Sequence, residues 1–213
     1  MEVKKQIGLF FGSFNPIHIG HLIIANYMAN YSNLDEVWLV VSPHNPLKQK
    51  GNLANSFDRL EMVNLAITNA EKLQASQIEF SLPQPSYTID TLKALRAELG
   101  PAAQVLLVLG VDAYLGLASW KDWRALVDYA HILVATRPGW QLPESGEVAE
   151  FTRAYQTDTL ADTPAGSVLL FQSRLLDISA TEIRALTAKG ASTRYLLPEA
   201  VRQFIHQQRL YLA

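Results

Sequence analysis

The residues Gly8-Leu-Phe-Phe-Gly-Ser-Phe-Asn-Pro-Ile-His-Ile-Gly-His21 form the most informative stretch of this sequence. The apolar run at 7–11 predicts a short buried strand, Gly12 and Ser13 predict a turn, and the segment 19–30 predicts a helix. A strand, a glycine turn and a helix start in this order favour phosphate binding, because free backbone N–H groups and the positive end of the helix dipole face the ligand. The sequence therefore predicts a phosphate site at this turn.

Two histidines, His18 and His21, stand three residues apart in the first helical turn and should point the same way. Beside phosphate, both rings can donate hydrogen bonds, and both can carry charge when an anion lies close by. A His-x-x-His pair can also bind zinc, but the chain has no cysteine and no third ligand stands nearby in sequence. We therefore expect phosphate contacts here and assign no protein metal ligand.

The composition indicates a chain able to form a sizeable core, with 213 residues, 49% of them hydrophobic and 18% charged. A net charge of −2 without a basic cluster argues against a nucleic-acid partner, which would require clustered Lys and Arg. The absence of cysteine excludes disulfides and suits a reducing cytoplasm. No apolar run reaches membrane-spanning length and no signal peptide is visible, so we expect a cytoplasmic protein with no membrane partner.

Short apolar runs alternate with helical patterns along the chain. Runs that are apolar on both faces predict a doubly wound, mostly parallel α/β sheet with helices on both faces. The predicted strands are 7–11, 36–42, 76–80, 105–109, 131–136 and 168–171, and the predicted helices are 19–30, 57–70, 88–99, 179–189 and 198–208. Ser56 is the expected N-cap of the second helix, and 138–145 and 158–166 are expected surface loops. We expect one domain over 1–213, with about 177–213 as a small helical subdomain.

Such sheets bind ligands at the carboxyl ends of their strands, at the point where the strand order reverses. Gly110 and Asp112 directly follow the predicted strand at 105–109. The glycine allows close backbone approach, and the carboxylate can accept hydrogen bonds from ribose hydroxyls. Asp112 as a helix N-cap is an equally good interpretation.

A second polar cluster stands near the C-terminus, where Ser179, Thr181 and Arg184 occupy one predicted helix start. Ser179 followed by Glu182 is a capping box. The same hydroxyls, free N–H groups and guanidinium also suit a second phosphate site, and capping and binding are compatible.

Both polar motifs resemble those of the nucleotidyltransferase superfamily, whose members join a nucleoside monophosphate to a phosphate acceptor. Gly-Ser-Phe-Asn-Pro-x-His-x-Gly-His resembles its signature, and Ile178-Ser-Ala-Thr-Glu-Ile-Arg184 resembles the Ile-Ser-x-Thr-x-x-Arg motif that grips the donor triphosphate. Asn15 stands where the superfamily more often has Asp, which removes a charge from this position. The resemblance implies catalytic roles for His18, His21 and Arg184, and ATP contacts at Gly12, Ser13, Phe14, His18, His21, Gly110, Asp112, Arg137, Ser179, Thr181 and Arg184.

Further motifs resemble one branch of that superfamily, nicotinate-nucleotide adenylyltransferase. In that branch, the tryptophan matching Trp120 stacks on the pyridine ring, and the backbone N–H matching Lys121 and the threonine matching Thr88 hold the ring carboxylate. Ser42-Pro-His-Asn-Pro-Leu-Lys48 resembles the Pro-x-x-x-Pro-x-Lys loop of that branch, which implies that Lys48 could neutralise the acceptor phosphate. N-capping by Thr88, a solvated Lys48 and a surface turn at Arg137 remain the alternatives, and Trp123 is expected in the core.

The resemblance implies adenylyl transfer from ATP to nicotinate mononucleotide, with Mg²⁺ bound mainly through the ATP phosphates. Nicotinamide mononucleotide and phosphopantetheine are alternative acceptors. A non-catalytic nucleotide-binding module and a zinc-dependent hydrolase are the rival classes. A homo-oligomer is compatible with the sequence, which leaves the oligomeric state open.

Overall fold

The computed structural model describes residues 5–31, 34–43, 53–136, 139–172 and 176–212, and a parallel sheet forms its centre. Its strands are β1 (Gln6–Gly12), β2 (Glu36–Val41), β3 (Leu73–Ser76), β4 (Gln104–Gly110), β5 (His131–Thr136) and β6 (Val168–Gln172). They lie in the order β3-β2-β1-β4-β5-β6, and each neighbouring pair is parallel. The doubly wound α/β prediction is confirmed.

Helices follow most of the strands. They are α1 (Ile19–Tyr31), α2 (Ser56–Ile67), α3 (Thr88–Leu99), α4 (Val111–Leu115), α5 (Leu126–Tyr129), α6 (Glu147–Tyr155), α7 (Ala180–Ala188) and α8 (Glu199–Gln207). Three short 3₁₀ turns, at Ile78–Phe80, Leu117–Ser119 and Trp123–Ala125, complete the connections in the described residues.

The sheet is apolar on both faces because a helical layer covers each one. Leu107 of β4 points into the layer that contains Leu92 of α3 and Phe151 of α6. Its neighbour Val108 points into the other layer, with Met62 of α2 and Ile183 of α7. The unbroken apolar strands of the sequence thus arise from side chains that alternate between two buried layers.

The strand order reverses between β1 and β4. The chain leaves β1 toward the layer of α1, and it leaves β4 toward the opposite layer, where Tyr114 of α4 is buried. A crevice therefore opens between the carboxyl ends of these two strands, as expected for this topology.

Three local predictions around β3 and α2 are wrong. The strand predicted at 76–80 instead ends at Ser76, and Ile78–Phe80 forms a 3₁₀ turn that carries Glu79 into the interior. The N-cap of α2 is Asn55, whose Oδ1 accepts a hydrogen bond of 2.9 Å from Phe57 N, so Ser56 is the first helical residue. Helix α2 also ends at Ile67, three residues before the predicted end.

Helix α6 was not predicted, and it lies between the two expected surface loops. Its buried residues Val148, Phe151 and Thr152 are spaced by three and four, which is the helical period. The helix is only nine residues long and exposes several charged side chains, so this apolar signal is weak in sequence.

The amino-terminal end of the sheet is held by Arg96 of α3. Its guanidinium donates to the carbonyl oxygens of Tyr129 (2.7 Å), Pro164 (2.5 Å) and Ala103. Because all three acceptors are backbone carbonyls, Arg96 ties the start of β4 to the loop at 158–166. This loop is therefore anchored to the sheet.

Candidate active site

A cleft of about 580 Å³ lies at the switch point between β1 and β4. The structure brings seven of the residues singled out in the sequence to its walls: Gly12, Ser13, Thr88, Gly110, Asp112, Trp120 and Lys121. They come from three separate parts of the chain, so the cleft exists only once the sheet has formed. Its size is in the range of small-molecule sites.

Phe14 packs beside this cleft and does not line it. The residue is buried, and its ring lies 5.9 Å from the ring of Phe10 and 5.1 Å from that of His21. A Cβ atom at Gly12 would come within 2.8 Å of the Phe14 ring. Gly12 thus lets the turn at Gly12 and Ser13, predicted from sequence as a phosphate site and called the phosphate turn below, close over Phe14. Because the Phe14 side chain is buried, a contact of Phe14 with ATP would have to come from its backbone.

The two motif histidines stack on each other, with ring centroids 3.7 Å apart and an interplanar angle of 29°. The backbone N–H of His18 donates to His21 Nδ1 at 3.3 Å, which places the proton of a neutral His21 on Nε2. Stacked rings direct their in-plane lone pairs side by side and not toward a common point. This geometry favours two parallel donors to a ligand over a shared zinc ion.

His18 is only 6% exposed, and its Nδ1 is buried without a hydrogen-bond partner among the described residues. Burial lowers the pKa of His18 to about 4, so the ring is neutral at pH 7. The expectation that both histidines carry charge therefore holds for His18 only if a bound anion reverses this shift. A neutral His18 can still donate one hydrogen bond.

Gly20 allows this packing of the His18 ring. A Cβ atom at Gly20 would lie 3.0 Å from His18 Nδ1 and 3.9 Å from the Cβ of Ile178. The glycine of the His-x-Gly-His motif thus makes room for the histidine ring, and it borders the residue that precedes Ser179. The two polar motifs of the sequence meet at this point.

Arg184 joins the two motifs directly. It donates from Nη1 to the backbone oxygen of Asn15 at 2.7 Å and from Nη2 to Thr181 Oγ1 at 3.3 Å. Ser179 is the N-cap of α7, and its Oγ accepts from Glu182 N at 3.1 Å, which confirms the capping interpretation. His18, His21, Ser179, Thr181 and Arg184 do not line the cleft itself. Gly12 and Ser13 of the first motif line it, and His21 adjoins it across Phe10, a cleft residue whose ring lies 6.0 Å from that of His21.

The Asn15 side chain connects distant parts of the chain. It is 5% exposed, and its Oδ1 accepts from Ala54 N at 3.0 Å and from the Tyr211 hydroxyl at 2.7 Å. Both lone pairs of this oxygen are thus engaged by protein donors. In this structure Asn15 serves as a structural acceptor.

The far wall of the cleft carries the aromatic and neutral donor groups. Thr88 is the first residue of α3, whose N-cap is Tyr87 without a side-chain cap, so the N-cap interpretation of Thr88 is wrong. Lys121 forms an ion pair of 2.8 Å with Asp90, and this contact raises the pKa of the ammonium group. Trp120 lines the cleft, whereas Trp123 is buried as expected.

Asp112 also lines the cleft, next to the end of β4. The N-cap of α4 is Gly110, so the capping interpretation of Asp112 is wrong. The carboxylate lies in the first turn of α4, at the carboxyl end of β4. That position is compatible with the predicted hydrogen bonds to ribose hydroxyls.

Known proteins are similar to this chain over almost its whole length. A model of the cytidylyltransferase-like family matches residues 9–186. A probable nicotinate-nucleotide adenylyltransferase of Cytophaga hutchinsonii is 42% identical over 206 residues, which cover 97% of this chain and 98% of that protein. A probable nicotinate-nucleotide adenylyltransferase of Aeromonas hydrophila is 42% identical over 212 residues, covering 98% of each chain.

The chain belongs to the nicotinate-nucleotide adenylyltransferase family. It is accordingly a nucleotidyltransferase, and the predicted family resemblance is confirmed. The fold agrees as well. The structure of Plasmodium falciparum nicotinic acid mononucleotide adenylyltransferase complexed with NaAD superposes with a TM-score of 0.76 at 22% identity, covering 97% of each chain. The same parasite protein complexed with APC gives a TM-score of 0.74 at 21% identity, with the same coverage.

The sequence analysis did not predict the structural role of Arg59. Arg59 has no exposed surface, and it donates to the backbone oxygens of Ser13 (2.6 Å), Ser42 (2.7 Å), Pro43 (2.9 Å) and Ala54 (3.0 Å). It therefore joins the turns after β1 and β2. A signal exists in sequence, because Arg59 occupies the same helical face as Met62, Val63 and Ile67, all of which are buried.

Glu79 was also missed, because its burial depends on the unexpected 3₁₀ turn. The residue is 2% exposed and lines the cleft, and its Oε1 accepts from the Thr91 hydroxyl at 2.8 Å. Burial raises the pKa of this carboxyl, while Thr91 and the nearby hydroxyls of Ser42 and Ser86 oppose the shift.

Two family positions, Lys48 and Arg137, lie outside the described residues. In the part of the chain that is described, no three His, Cys, Asp or Glu side chains cluster as a metal site. No helix in that part is long and apolar enough to cross a bilayer.

Proposed function

We propose that this chain transfers the adenylyl group of ATP to nicotinate mononucleotide, which yields nicotinate adenine dinucleotide and pyrophosphate. The observation that carries the proposal is the switch-point cleft. On one side it adjoins the joined histidine and arginine motifs, and on the other it is bounded by Thr88 and Trp120. The names of the relatives support the same reaction.

In this reaction an oxygen of the mononucleotide 5′-phosphate attacks the α-phosphorus of ATP in line. A new P–O bond forms as the bond to the β-phosphate oxygen breaks, and pyrophosphate leaves with the bonding electron pair. Phosphate oxygens are nucleophilic at neutral pH, so no general base and no covalent intermediate are required. Catalysis then rests on positioning and on charge stabilisation.

The proposed donor side consists of the two joined motifs. Neutral His18, together with Nε2 of His21, donates hydrogen bonds toward the α-phosphate and the leaving phosphates. Arg184, already fixed by Asn15 and Thr181, faces the β,γ end together with the N–H groups at the start of α7. The turn at Gly12 and Ser13, with Gly110 and Asp112, borders the nucleoside part.

The proposed acceptor side holds a planar acid ring with neutral groups. Trp120 stacks on the pyridine ring, and the Thr88 hydroxyl with the Lys121 backbone N–H binds its carboxylate. The ammonium group of Lys121 is engaged by Asp90, so the backbone N–H is the better candidate. We further propose that Lys48 contacts the acceptor phosphate and that Arg137 contacts ATP.

Nucleotidyltransferases generally act with a divalent metal, and we propose that Mg²⁺ enters with ATP as its phosphate complex. The donor side offers imidazole, hydroxyl and guanidinium groups, which do not compete for a hard cation that prefers phosphate oxygens and water.

We also propose a cytoplasmic location, which cell fractionation with an antibody to the chain would test.

The decisive experiment measures pyrophosphate release from ATP with nicotinate mononucleotide, nicotinamide mononucleotide or phosphopantetheine as acceptor. We expect turnover with the acid and a preference for it over the amide. ATP binding without pyrophosphate release would contradict the proposal and favour a binding module. Preference for another acceptor would retain the chemistry and reject the proposed substrate.

A variant tests the histidine assignment in the same assay. His21→Ala should reduce turnover by about 100-fold or more while weakening ATP binding only modestly, because the ring acts mainly on charge that develops in the transition state. His206→Ala, at an exposed position of α8, is the matched control. Unchanged turnover in His21→Ala would remove His21 from the mechanism.

A further inference from the structure

The last residues of the described chain return to the phosphate turn. Helix α8 buries Val201 and Ile205 in the same layer as α2, and the chain then reverses direction, with Leu210 N donating to Ile205 O at 2.9 Å. The reversal uses left-handed backbone at Arg209 (φ 52°) and Tyr211 (φ 61°). Such backbone costs a non-glycine residue about 1 kcal/mol, so some contact must stabilise this turn.

The contact that stabilises this turn joins Tyr211 to Asn15 of the first motif. The Tyr211 hydroxyl donates to Asn15 Oδ1 at 2.7 Å, across 196 residues of sequence. This hydroxyl also lies within electrostatic range of Arg184 and Arg59. Tyr211 is thus bonded to the residue whose backbone oxygen orients Arg184.

We propose that Tyr211 is a positioning residue for the donor side of the reaction. Tyr211 and Ala54 N hold the two lone pairs of Asn15 Oδ1, and Asn15 in turn presents its backbone oxygen to Arg184. The direction of the Arg184 guanidinium toward the triphosphate therefore depends on the C-terminal tyrosine. This inference rests on the proposed function of the site and adds a group that does not touch the substrates.

Binding of the mononucleotide on the acceptor side is the control with which the effect of Tyr211 on ATP can be compared. Thr88 at the start of α3 and Trp120 after α4 line the cleft, whereas Asn15, Arg184 and Tyr211 do not. Loss of the Tyr211 hydroxyl should therefore affect ATP and leave the mononucleotide unaffected. A purely structural role would lower thermal stability and the active fraction without separating the two substrates.

The test is Tyr211→Phe, which removes one oxygen and keeps the ring that packs against the core. We expect kcat/KM for ATP to fall by about fivefold or more, the loss typical of one hydrogen bond, with the KM of nicotinate mononucleotide within twofold of wild type. Tyr195→Phe, at a position 85% exposed in the same C-terminal segment, is the matched control and should change neither constant. Equal changes for both substrates, or none, would overturn the proposal.

A second pair of variants tests the route through Asn15. Asn15→Asp keeps an oxygen that can accept from Tyr211 and Ala54, so Tyr211→Phe should still lower kcat/KM for ATP in that background. Asn15→Ala removes the acceptor, so Tyr211→Phe should have no further effect there. Additive losses in the Asn15→Ala background would contradict the route.

Failure of the proposed function can be distinguished from failure of this inference. If the wild-type chain releases no pyrophosphate, the proposed reaction is wrong, but the effect of Tyr211 can still be measured by ATP binding. A rise in melting temperature with ATP that is smaller in Tyr211→Phe than in wild type would support the positioning role. An equal rise in both would reject it.

Discussion

Gly20 illustrates how a single hydrogen atom in place of a side chain shapes the active site. A Cβ atom at this position would contact both the His18 ring and Ile178, the first residue of the second motif. The glycine is near the start of α1, where a helix would gain from alanine. Its presence is therefore explained by the packing of His18 and not by the helix.

We predict that Gly20→Ala lowers the activity of the protein but not its stability. The new methyl group would press on His18 at 3.0 Å and turn the ring away from the phosphates, so kcat should fall by at least tenfold. Helix propensity should offset the strain by up to about 1 kcal/mol, so the melting temperature should change little. Steady-state kinetics with thermal unfolding of the same preparations measures both effects.

Asn26→Ala, at an exposed position of the same helix, is the control and should retain full activity. If Gly20→Ala retained wild-type turnover, the packing of His18 against Gly20 would not be required for catalysis.

The buried His18 should also make stability depend on pH. Because its folded pKa of about 4 lies below the ordinary value of 6.5, the unfolded chain binds more protons between these two values. The stability contributed by neutral His18 is complete above pH 6.5 and is lost as the pH falls toward 4, by about 3 kcal/mol in all.

His18→Gln, which does not titrate, should remove this part of the pH dependence. We expect its free energy of unfolding to fall less than that of wild type between pH 7.5 and pH 5 in urea denaturation. Parallel curves for the two proteins would show that His18 titrates normally in the folded state. His131 remains in both proteins, so its own burial cancels in this comparison.

At the scale of elements, two arginines hold opposite ends of the sheet, Arg59 fully buried and Arg96 half-buried. Arg59 binds four backbone oxygens at the carboxyl ends of β1 and β2, and Arg96 binds three near the amino end of β4. The two side chains make the same kind of contact, but only Arg59 adjoins the phosphate turn.

We predict that Arg59→Met and Arg96→Met destabilise the protein similarly, by about 3 kcal/mol, because each leaves several partly buried backbone carbonyls without a donor. Only Arg59→Met should also reduce kcat per folded molecule, by about tenfold, since Ser13 loses its anchor. Urea denaturation and kinetics corrected for the folded fraction measure the two effects. An equal loss of kcat in both variants would show that Arg59 acts only through stability.

At the scale of the whole molecule, the C-terminal helices share a core with the sheet. Ile183 of α7 and Val201 of α8 lie in one buried cluster with Phe10 of β1 and Met62 of α2. We therefore expect the C-terminal segment, predicted as a small helical subdomain, to unfold together with the rest of the chain.

Far-ultraviolet circular dichroism and tryptophan fluorescence should give coincident urea transitions. The four tryptophans, Trp38, Trp120, Trp123 and Trp140, all precede the C-terminal helices, so fluorescence reports on the sheet region. Hydrogen exchange of α8 amides should show the same free energy of opening as β4. Earlier exchange in α8 would indicate a subdomain that unfolds independently.

Much of this protein could be predicted from local patterns. The apolar runs identified five of the six strands, and the order of strands and helices indicated the parallel sheet and its switch point. The first motif identified the turn, the histidines and the glycine that form the proposed phosphate site. Such features can be recognised because strand period, helix period and turn chemistry act over a few neighbouring residues.

Long-range contacts assigned the remaining roles. Neither the bond from Tyr211 to Asn15 nor the burial of Arg59 beneath the phosphate turn follows from neighbours in sequence. The 3₁₀ turn that buries Glu79 was mistaken for a strand, because a short apolar run is compatible with either until its hydrogen-bond partners are known. Local residues thus define the chemical groups of the site, whereas packing between distant segments sets their protonation, direction and support.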